Sequence, residues 1–393
     1  MSNPHPPSFS SPTRQANQSA THFISVLLYG ILAVGPPAVA QDRPTVRASA
    51  ADPEQREEPQ PYRLNVTYYA ESWQNVDGGL SRGNAYLDKL DVSAAVDGGE
   101  LFGVDGLHFF MRAFAANGHT LSCRLTGDNQ GVSNIETIRS ARVFELWGEW
   151  QSEVGGKTRF GLYDLNSEFD SVASAQFFLN SSHGIGRDFS QSGRMGPSIY
   201  PISSLGVRSL WIVASGWSGQ MAVLDGVPGD PQRPKVTTVH ISPDDGALIV
   251  GEADYSQDFI HKVGLGVWRY TSHFDTVGTG AGSVPAIAHP GNTGIYGLLD
   301  LTLTPAAGKL SSRVDGFVRV GYADPQVNRF GTYAEGGLVF SGLLVQDDHL
   351  GLAAAATMNG SPYQRAADLA GIPQRRAETN IEASWAVPVS SGL

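Results

Sequence analysis

Two glutamates and a tryptophan alternate with apolar residues in one short segment, as Glu145, Trp147 and Glu149. Paired carboxylates hydrolyse glycosidic bonds when they lie about 5–9.5 Å apart. On a strand that rises about 3.3 Å per residue, side chains four positions apart are ~13 Å apart. The two glutamates are therefore too far apart for that reaction, and hydrogen bonding and ring stacking are the chemistry left to this segment.

Other polar residues fall into similar sets. Arginine and aspartate alternate with apolar residues further along the chain, and a less regular segment begins with three closely spaced acid and amide side chains. Side chains that share one side of a strand can line a common surface. The candidate binding residues are Glu145, Trp147, Glu149, Asp164, Asn166, Glu168, Arg313, Asp315 and Arg319.

Each candidate also has a purely structural interpretation. The two glutamates of the first segment can be solvated or paired with arginines, and Trp147 can anchor a neighbouring loop by packing. The arginine and aspartate set can form a ladder of charges along a wall. Residues 166–170 can shape a loop through capping and turn hydrogen bonds. The residue types alone leave both interpretations open.

From Pro61 onward, the segments that carry these residues alternate between two kinds of side chain with a period of two residues. This period predicts strands with two different faces. The segments run for about ten residues, near the ~9–11 that cross a bilayer as a tilted strand and longer than the usual ~5–6. In residues 262–270 one side carries Lys262, Gly264, Gly266, Trp268 and Tyr270, and the other carries Val263, Leu265 and Val267. Residues 295–304, 313–322, 332–341, 350–358 and 377–387 alternate in the same way.

The outward face of the first segment, opposite its glutamates, is apolar and suits lipid. Connections are of two kinds: residues 305–309 and 347–349 are tight polar turns, whereas 275–291 and 360–376 are long and rich in glycine and proline. Short turns at one end and long loops at the other are typical of an outer-membrane barrel. The residues of the lipid-facing side are Phe144, Leu146, Gly148 and Trp150.

Two segments depart from the alternation. Leu165 to Tyr200 is rich in Ser, Asn, Gly and Phe, which predicts a long loop with a short helix, folded inside the barrel. Leucine and alanine at helical spacing predict a second short helix within Leu87 to Ala95.

A soluble all-β sandwich or propeller would also show alternating strands. Its second face should carry many charges, yet charged residues make up only 17% of this chain. A propeller also needs a repeat of fixed period, and none is visible. The pattern favours an all-β, transmembrane antiparallel β-barrel with a loop inserted in its lumen.

The amino terminus predicts export. An apolar run from Phe23 to Val34 follows Arg14 and precedes Ala38-Val39-Ala40, a small-residue cleavage site. The alternative is an uncleaved anchor, but the run is short for a span of ~20 residues. We predict a signal peptide at residues 1–40, a flexible leader at 41–61, and the barrel at 62–393.

Composition excludes several classes of function. The 38 acidic residues outnumber the 27 basic ones and give a net charge of −11, which is unfavourable for nucleic-acid binding. The single cysteine, Cys123, cannot form an internal disulfide and is interpreted as passive. No phosphate-binding loop, nucleophile elbow or zinc-protease motif occurs, so we expect neither an enzyme nor a metal or other cofactor.

Five sequence blocks, in one order, resemble the carbohydrate-selective (OprB-type) porin family. The resemblance is strongest between residues 127 and 201 and looser through the rest of the chain. The blocks are Gly127–Glu136, Val143–Trp150, Arg159–Asp170, Phe178–Gly186 and Asp188–Pro201.

The resemblance implies a sixteen-stranded barrel of the bacterial outer membrane that passes mono- and oligosaccharides by diffusion. Sugars offer hydroxyl groups and apolar ring faces, so hydrogen-bonding and aromatic side chains in the lumen suit them. The expected partners are sugars and outer-membrane lipid, and monomer or trimer is left open. A barrel for other solutes, an adhesin and, less favoured, a secreted all-β glycan-processing enzyme are the alternatives.

The end of the chain departs from the family pattern. Such barrels usually close with a strand that ends in an aromatic residue, whereas this chain ends in Ser390-Ser391-Gly392-Leu393. We expect about two closing strands to be missing, because an open sheet edge in lipid is strongly disfavoured.

Overall fold

The alternating segments form one continuous antiparallel sheet. The computed structural model describes residues 29–34, 61–118, 121–279, 285–304, 313–345 and 347–389. Within these ranges each strand pairs with the next one along the chain. The strands are β1 (Tyr29–Val34), β2 (Tyr62–Asn75), β3 (Gly83–Asp97), β4 (Leu107–Ala116), β5 (Ser140–Gln151), β6 (Lys157–Tyr163), β7 (Ser204–Ala214), β8 (Trp217–Asp225), β9 (Ala247–Gln257), β10 (Ile260–Asp275), β11 (Ala288–Thr304), β12 (Arg313–Ala323), β13 (Phe330–Ser341), β14 (His349–Asn359) and β15 (Ala377–Ala386).

Helical segments are short and lie in the connections between strands. None of the helices in the described ranges is long and apolar enough to cross a membrane. The α-helices are α1 (Gly98–Phe102), α2 (Arg187–Ser190) and α3 (Ser361–Leu369), with a π-helical turn at Ser122–Thr126 and 3₁₀ turns at Leu165–Ser167, Ala175–Phe177 and Ser181–His183.

The two ends of the sheet, β1 and β15, do not pair with each other in the described part of the chain. The described residues contain fifteen strands, compared with sixteen for the family pattern, of which about two were expected to be missing from this chain. Strand β1 lies within residues 1–40, the predicted signal peptide, and pairs with residues 66–71 of β2. Most of that segment, the leader up to residue 60 and the final residues 390–393 lie outside the described residues.

The two faces of the sheet differ as the alternation predicts. On β10, Val267 is 52% exposed on the outer face, whereas its neighbour Trp268 on the inner face is 2% exposed. On β12, Val318 and Val320 point outward and are exposed, whereas Arg319 between them is buried. The sheet therefore presents an apolar surface to the outside and polar and aromatic side chains to the inside.

The predicted helix within Leu87 to Ala95 is wrong, because these residues form the middle of β3. Leu87 points inward and is buried, and Leu90 points outward and is exposed. Three-residue spacing places two side chains on one face of a helix but on opposite faces of a strand. Pairing with β2 and β4 along most of its length fixes this segment as a strand.

The predicted outward position of Phe144 is also wrong. The register of β4 and β5 shifts between the pairs Arg112–Glu145 and Ala113–Val143, so that Phe144 is an extra residue. A bulge of this kind interrupts strict alternation and redirects a side chain. Phe144 is consequently buried with Phe114, although its neighbour Leu146 remains exposed on the outer face.

The connections at the two ends of the sheet have different lengths. At one end residues 215–216 and 258–259 make tight turns, and the predicted turn at 347–349 completes the connection before β14. At the other end most connections are longer, and the predicted long connection at 360–376 contains α3. The predicted turn at 305–309 lies outside the described residues. Short and long connections at opposite ends agree with the architecture of an outer-membrane barrel.

Two of the long connections fold against the inner face of the sheet. We name residues 121–139 loop A and residues 164–203 loop B. Loop B buries Phe169, Phe178 and Phe189 completely or nearly so. Phe189 stacks on Trp268 of β10 with ring centroids 4.9 Å apart and an angle of 4° between the planes. The predicted inserted loop, with its short helix α2, is thus confirmed.

Candidate functional site: the barrel interior

The three candidate residues of β5 all point into the barrel. Glu145 is 2% exposed, Glu149 is buried, and Trp147 between them is partly buried. Alternation along β5 beyond the bulge places them together, as the sequence predicts.

Trp147 is packed from both neighbouring strands. Phe110 of β4 stacks on it with centroids 5.0 Å apart, and the Arg159 guanidinium of β6 lies 3.6 Å from its ring centroid. The indole Nε1 donates a hydrogen bond to Glu145 at 3.1 Å. Contacts of this kind stabilise the wall, and they favour packing as the role of Trp147.

Glu149 and Glu168 form a four-membered ion network with two arginines. Arg208 Nη2 donates to Glu149 at 2.6 Å and to Glu168 at 2.5 Å. Arg159 Nη2 lies 2.9 Å from Glu149 and 3.5 Å from Glu168. Glu168 belongs to loop B, whereas the other three belong to β5, β6 and β7, so the network fastens the loop to the wall.

Asn166 shapes loop B from within. Its side-chain amide donates to the carbonyl oxygens of Phe169, Asp170 and Gly184 at 3.0–3.2 Å. The Asp164 carboxylate accepts from the Asn166 backbone N–H at 3.1 Å and caps the first 3₁₀ turn. Three carbonyl acceptors leave the Asn166 amide committed to the loop, which supports the structural interpretation of this residue.

Arg319 and the pair Arg313 and Asp315 lie in two different places along β12. The Arg319 guanidinium makes a bidentate contact with Asp170 of loop B, and both side chains are buried. Arg313 Nε donates to Asp315 at 2.8 Å, and Asp315 also accepts from Thr302 at 2.7 Å, nearer the short-turn end. Only Arg319 therefore joins the residues that contact loop B.

Wall carboxylates also bind the backbone of loop B. Glu252 of β9 accepts from the Asp170 N–H at 2.8 Å, and Asp300 of β11 accepts from the Ser174 N–H at 3.2 Å. Loop N–H groups outside regular structure need such acceptors when they are buried. No local motif identifies Glu252 or Asp300, because their partners lie far away in the sequence.

Acids in loop B respond to this environment in different ways. Burial favours the neutral form of Glu168, but the charges of Arg159 and Arg208 outweigh it and lower the pKa of Glu168. Burial raises the pKa of Asp164 to about 7 and that of Asp188 to about 6. The pKa of each group therefore lies above that of an isolated aspartate.

Strand β4 contributes two inward side chains that are not among the predicted site residues. Arg112 donates two hydrogen bonds of 2.8 Å to Asp91 of β3 and lies 3.7 Å from Glu145. The Arg112 side chain is 30% exposed, and Phe110 two residues earlier is partly exposed on the same face. Alternation along His108, Phe110 and Arg112 is the signal that could have identified them.

Loop B contacts several strands of the wall. Glu168 pairs with arginines of β6 and β7, and the Leu179 N–H donates a hydrogen bond to a glutamate of β15. In the region of β4 and β5, however, Phe110, Arg112 and Trp147 retain exposed surface. Loop B also packs on β4 and β5 through Tyr200, which contacts Phe114 and Phe144, but these two strands keep partly accessible charged and aromatic groups on their inner face.

A sheet with an apolar outer face, a polar inner face and a loop folded inside is the architecture of an outer-membrane porin. A model of the carbohydrate-selective porin, OprB family, matches residues 81–393, and the chain therefore belongs to that family. It is an outer-membrane sugar porin of bacteria.

A solved structure of an outer-membrane porin agrees with this fold. OprB of Pseudomonas putida at high pH superposes with a TM-score of 0.72 at 18% identity, covering 83% of this chain and 85% of that one. The low-pH structure of the same protein gives a TM-score of 0.49 at 14% identity, covering 83% and 82%. A loop-deletion mutant of OmpT of Vibrio cholerae gives 0.41 at 11% identity, covering 76% and 83%. No curated protein matches the sequence.

Proposed function

We propose that mono- and oligosaccharides diffuse passively along the accessible inner face of β4 and β5, between that face and loop B. The observation that carries this proposal is the pairing of a partly exposed aromatic ring, Phe110, with a partly exposed guanidinium, Arg112. A sugar can place an apolar ring face on the first and a hydroxyl group against the second.

The fixed geometry of Arg112 supports this role. Asp91 accepts two of its hydrogen bonds, which orients the guanidinium while part of it stays accessible. Glu145 nearby supplies acceptor oxygens. Solute contacts that are few and weak allow a sugar to enter and also to leave, as diffusion through a pore requires.

The other candidates serve mainly as supports in this proposal. The wall and loop B are held together by Trp147, Glu149 and Glu168. Loop B is shaped by Asp164 and Asn166. On β12, Arg319 contacts loop B, whereas Arg313 and Asp315 contact the wall. No reaction is assigned to Glu145 and Glu149, because arginines or Trp147 already engage both carboxylates. The outward apolar residues contact outer-membrane lipid.

Liposome swelling tests the proposal. Liposomes containing the porin should swell faster in glucose than in a charged solute of similar size. Phe110→Ala and Arg112→Gln should lower the glucose-to-charged-solute ratio roughly five-fold, which corresponds to the loss of about 1 kcal/mol of interaction. The matched control is Phe109→Ala, because Phe109 is the outward-facing neighbour on the same strand.

Equal swelling in both solutes would remove the sugar preference. A ratio that falls equally in the Phe109 and Phe110 variants would show that β4 acts only through the stability of the barrel and would contradict the proposed pathway.

A further inference from the structure

Loops A and B are fastened to the last described strand by two carboxylates. Glu382 of β15 accepts from the backbone N–H of Leu179 at 2.8 Å and of Asn180 at 3.0 Å, one on each oxygen. Both donors belong to loop B. A carboxylate that receives two backbone N–H groups holds that stretch of backbone in a defined place, since both donors would otherwise lack charged acceptors.

Glu378 does the same for loop A, nearer the start of the same strand. Its carboxylate accepts from the backbone N–H of Asn129 at 2.9 Å and of Gln130 at 3.1 Å, and from the Asn129 side chain at 2.6 Å. The partners are separated by 249 and 248 residues in the sequence. Strand β15 therefore anchors both loops.

The two loops also bind each other at this place. Asn134 N–H of loop A donates to the Leu179 carbonyl at 2.7 Å, and Ser181 N–H of loop B donates to the Gly131 carbonyl at 2.8 Å. Displacement of one loop from β15 consequently affects the other, because the two share backbone hydrogen bonds.

Strand β2, next to the opposite edge of the sheet, is tied to the same assembly. Glu71 of β2 accepts from the Ser133 hydroxyl of loop A at 2.6 Å. Ser181 of loop B in turn donates to the Ser133 carbonyl at 2.9 Å. A continuous series of hydrogen bonds thus runs from β2 through loops A and B to Glu382 on β15, although β2 and β15 do not pair with each other in the described residues.

We propose that Glu378 and Glu382 are positioning residues of the sugar pathway: by holding loops A and B on β15, they set the width and steadiness of the pore. This inference rests on the proposed function, in which loop B forms one side of the pathway. Neither glutamate needs to contact sugar. Their effect passes through the backbone that they bind.

The test compares Glu382→Gln, Glu378→Gln and the double variant with Glu153→Gln. Glutamine keeps the volume of the side chain but replaces one acceptor oxygen with an NH₂ donor, which faces a backbone N–H. Glu153 lies exposed in the turn after β5, so its variant removes the same charge without touching either loop. Gel mobility before and after heating verifies that each barrel has folded.

Two readouts distinguish positioning from general stability. Single-channel recordings should show at least a two-fold rise in open-channel current noise for Glu382→Gln and Glu378→Gln, and a lower glucose-to-charged-solute swelling ratio. Hydrogen exchange should accelerate in residues 177–183 for the first variant and in residues 127–131 for the second. Glu153→Gln should match the parent chain in all these measurements.

Channel noise and swelling ratios equal to those of Glu153→Gln would overturn the proposal, even if hydrogen exchange changed. If Glu382→Gln does not fold, Glu382→Asp decides, since it keeps the charge but shortens the reach: raised noise supports the proposal and unchanged noise overturns it. The two proposals can fail separately. If the Phe110 and Arg112 variants keep the parent swelling ratio but the Glu378 and Glu382 variants show raised channel noise, the sugar pathway along β4 and β5 is rejected and the anchoring role of the two glutamates stands.

Discussion

Arg319 shows how a buried charge depends on a residue far away in the sequence. Its guanidinium and the Asp170 carboxylate are almost inaccessible, and Glu335 lies 3.8 Å from it. Charges withdrawn from water in this way persist only when they are paired. The pair therefore fixes the path of loop B across β12 more firmly than any exposed contact could.

Arg319→Ala should strongly destabilise the barrel, because it leaves Asp170 buried and unpaired. Breaking such a pair costs about 3–5 kcal/mol. Arg313→Ala, six positions earlier on the same strand, removes a side chain that is 49% exposed and should cost less than about 1 kcal/mol. Urea unfolding in detergent measures both, and equal losses would contradict the assignment of Arg319 as a buried anchor.

At the scale of the strand, the bulge in β5 decides where a large side chain points. Phe144 faces inward and packs with Phe114 and Tyr200, at centroid distances of 6.1 and 5.9 Å. Strict alternation would have placed it outside, beside Leu146. Because Phe144 is the extra residue, its predicted outward direction is reversed, whereas Glu145, Trp147 and Glu149 keep their predicted positions.

Phe144→Ala should cost about 3–5 kcal/mol, because it leaves a cavity among packed side chains. Leu146→Ala should cost less, since the lipid tails outside the barrel can rearrange to fill the space. The unfolding free energies of the two variants in the same detergent or vesicle system provide the comparison. A larger loss for Leu146 would mean that Phe144 contributes little packing inside.

At the scale of the whole molecule, the outer surface distinguishes a barrel in lipid from a soluble β protein. Exposed side chains in the middle of β10 are apolar, with Leu265 58% and Val267 52% exposed. In water, single substitutions at exposed positions usually have small effects. In a bilayer the same positions contact hydrocarbon.

Leu265→Arg should therefore impair insertion. A cationic side chain on the lipid face costs about 2–4 kcal/mol near the middle of the bilayer. Leu265→Met keeps the position apolar and serves as the control. Folding yield into phospholipid vesicles, followed by the gel mobility shift, gives the comparison, and equal yields for the two variants would indicate that this face does not contact lipid.

Features that depend only on neighbouring residues could be predicted from the amino-acid order alone. Alternation along 262–270 and 313–322 identified the strands and their two faces, because the period of two is a property of the extended backbone. Composition marked loop B as irregular, and the blocks between residues 127 and 201 were enough to indicate the family. The same local rules failed where helix and strand spacing coincide, at Leu87 and Leu90.

Which charged side chains meet depends instead on the three-dimensional fold. Asp170 and Arg319 are 149 residues apart, and Glu378 and Asn129 are 249 apart. No local pattern encodes such partners, since they depend on the path of a loop inside a wall that must form first. The tertiary structure also placed Trp147 between Phe110 and Arg159, because contacts across three strands follow from register and not from the order of residues in any one of them.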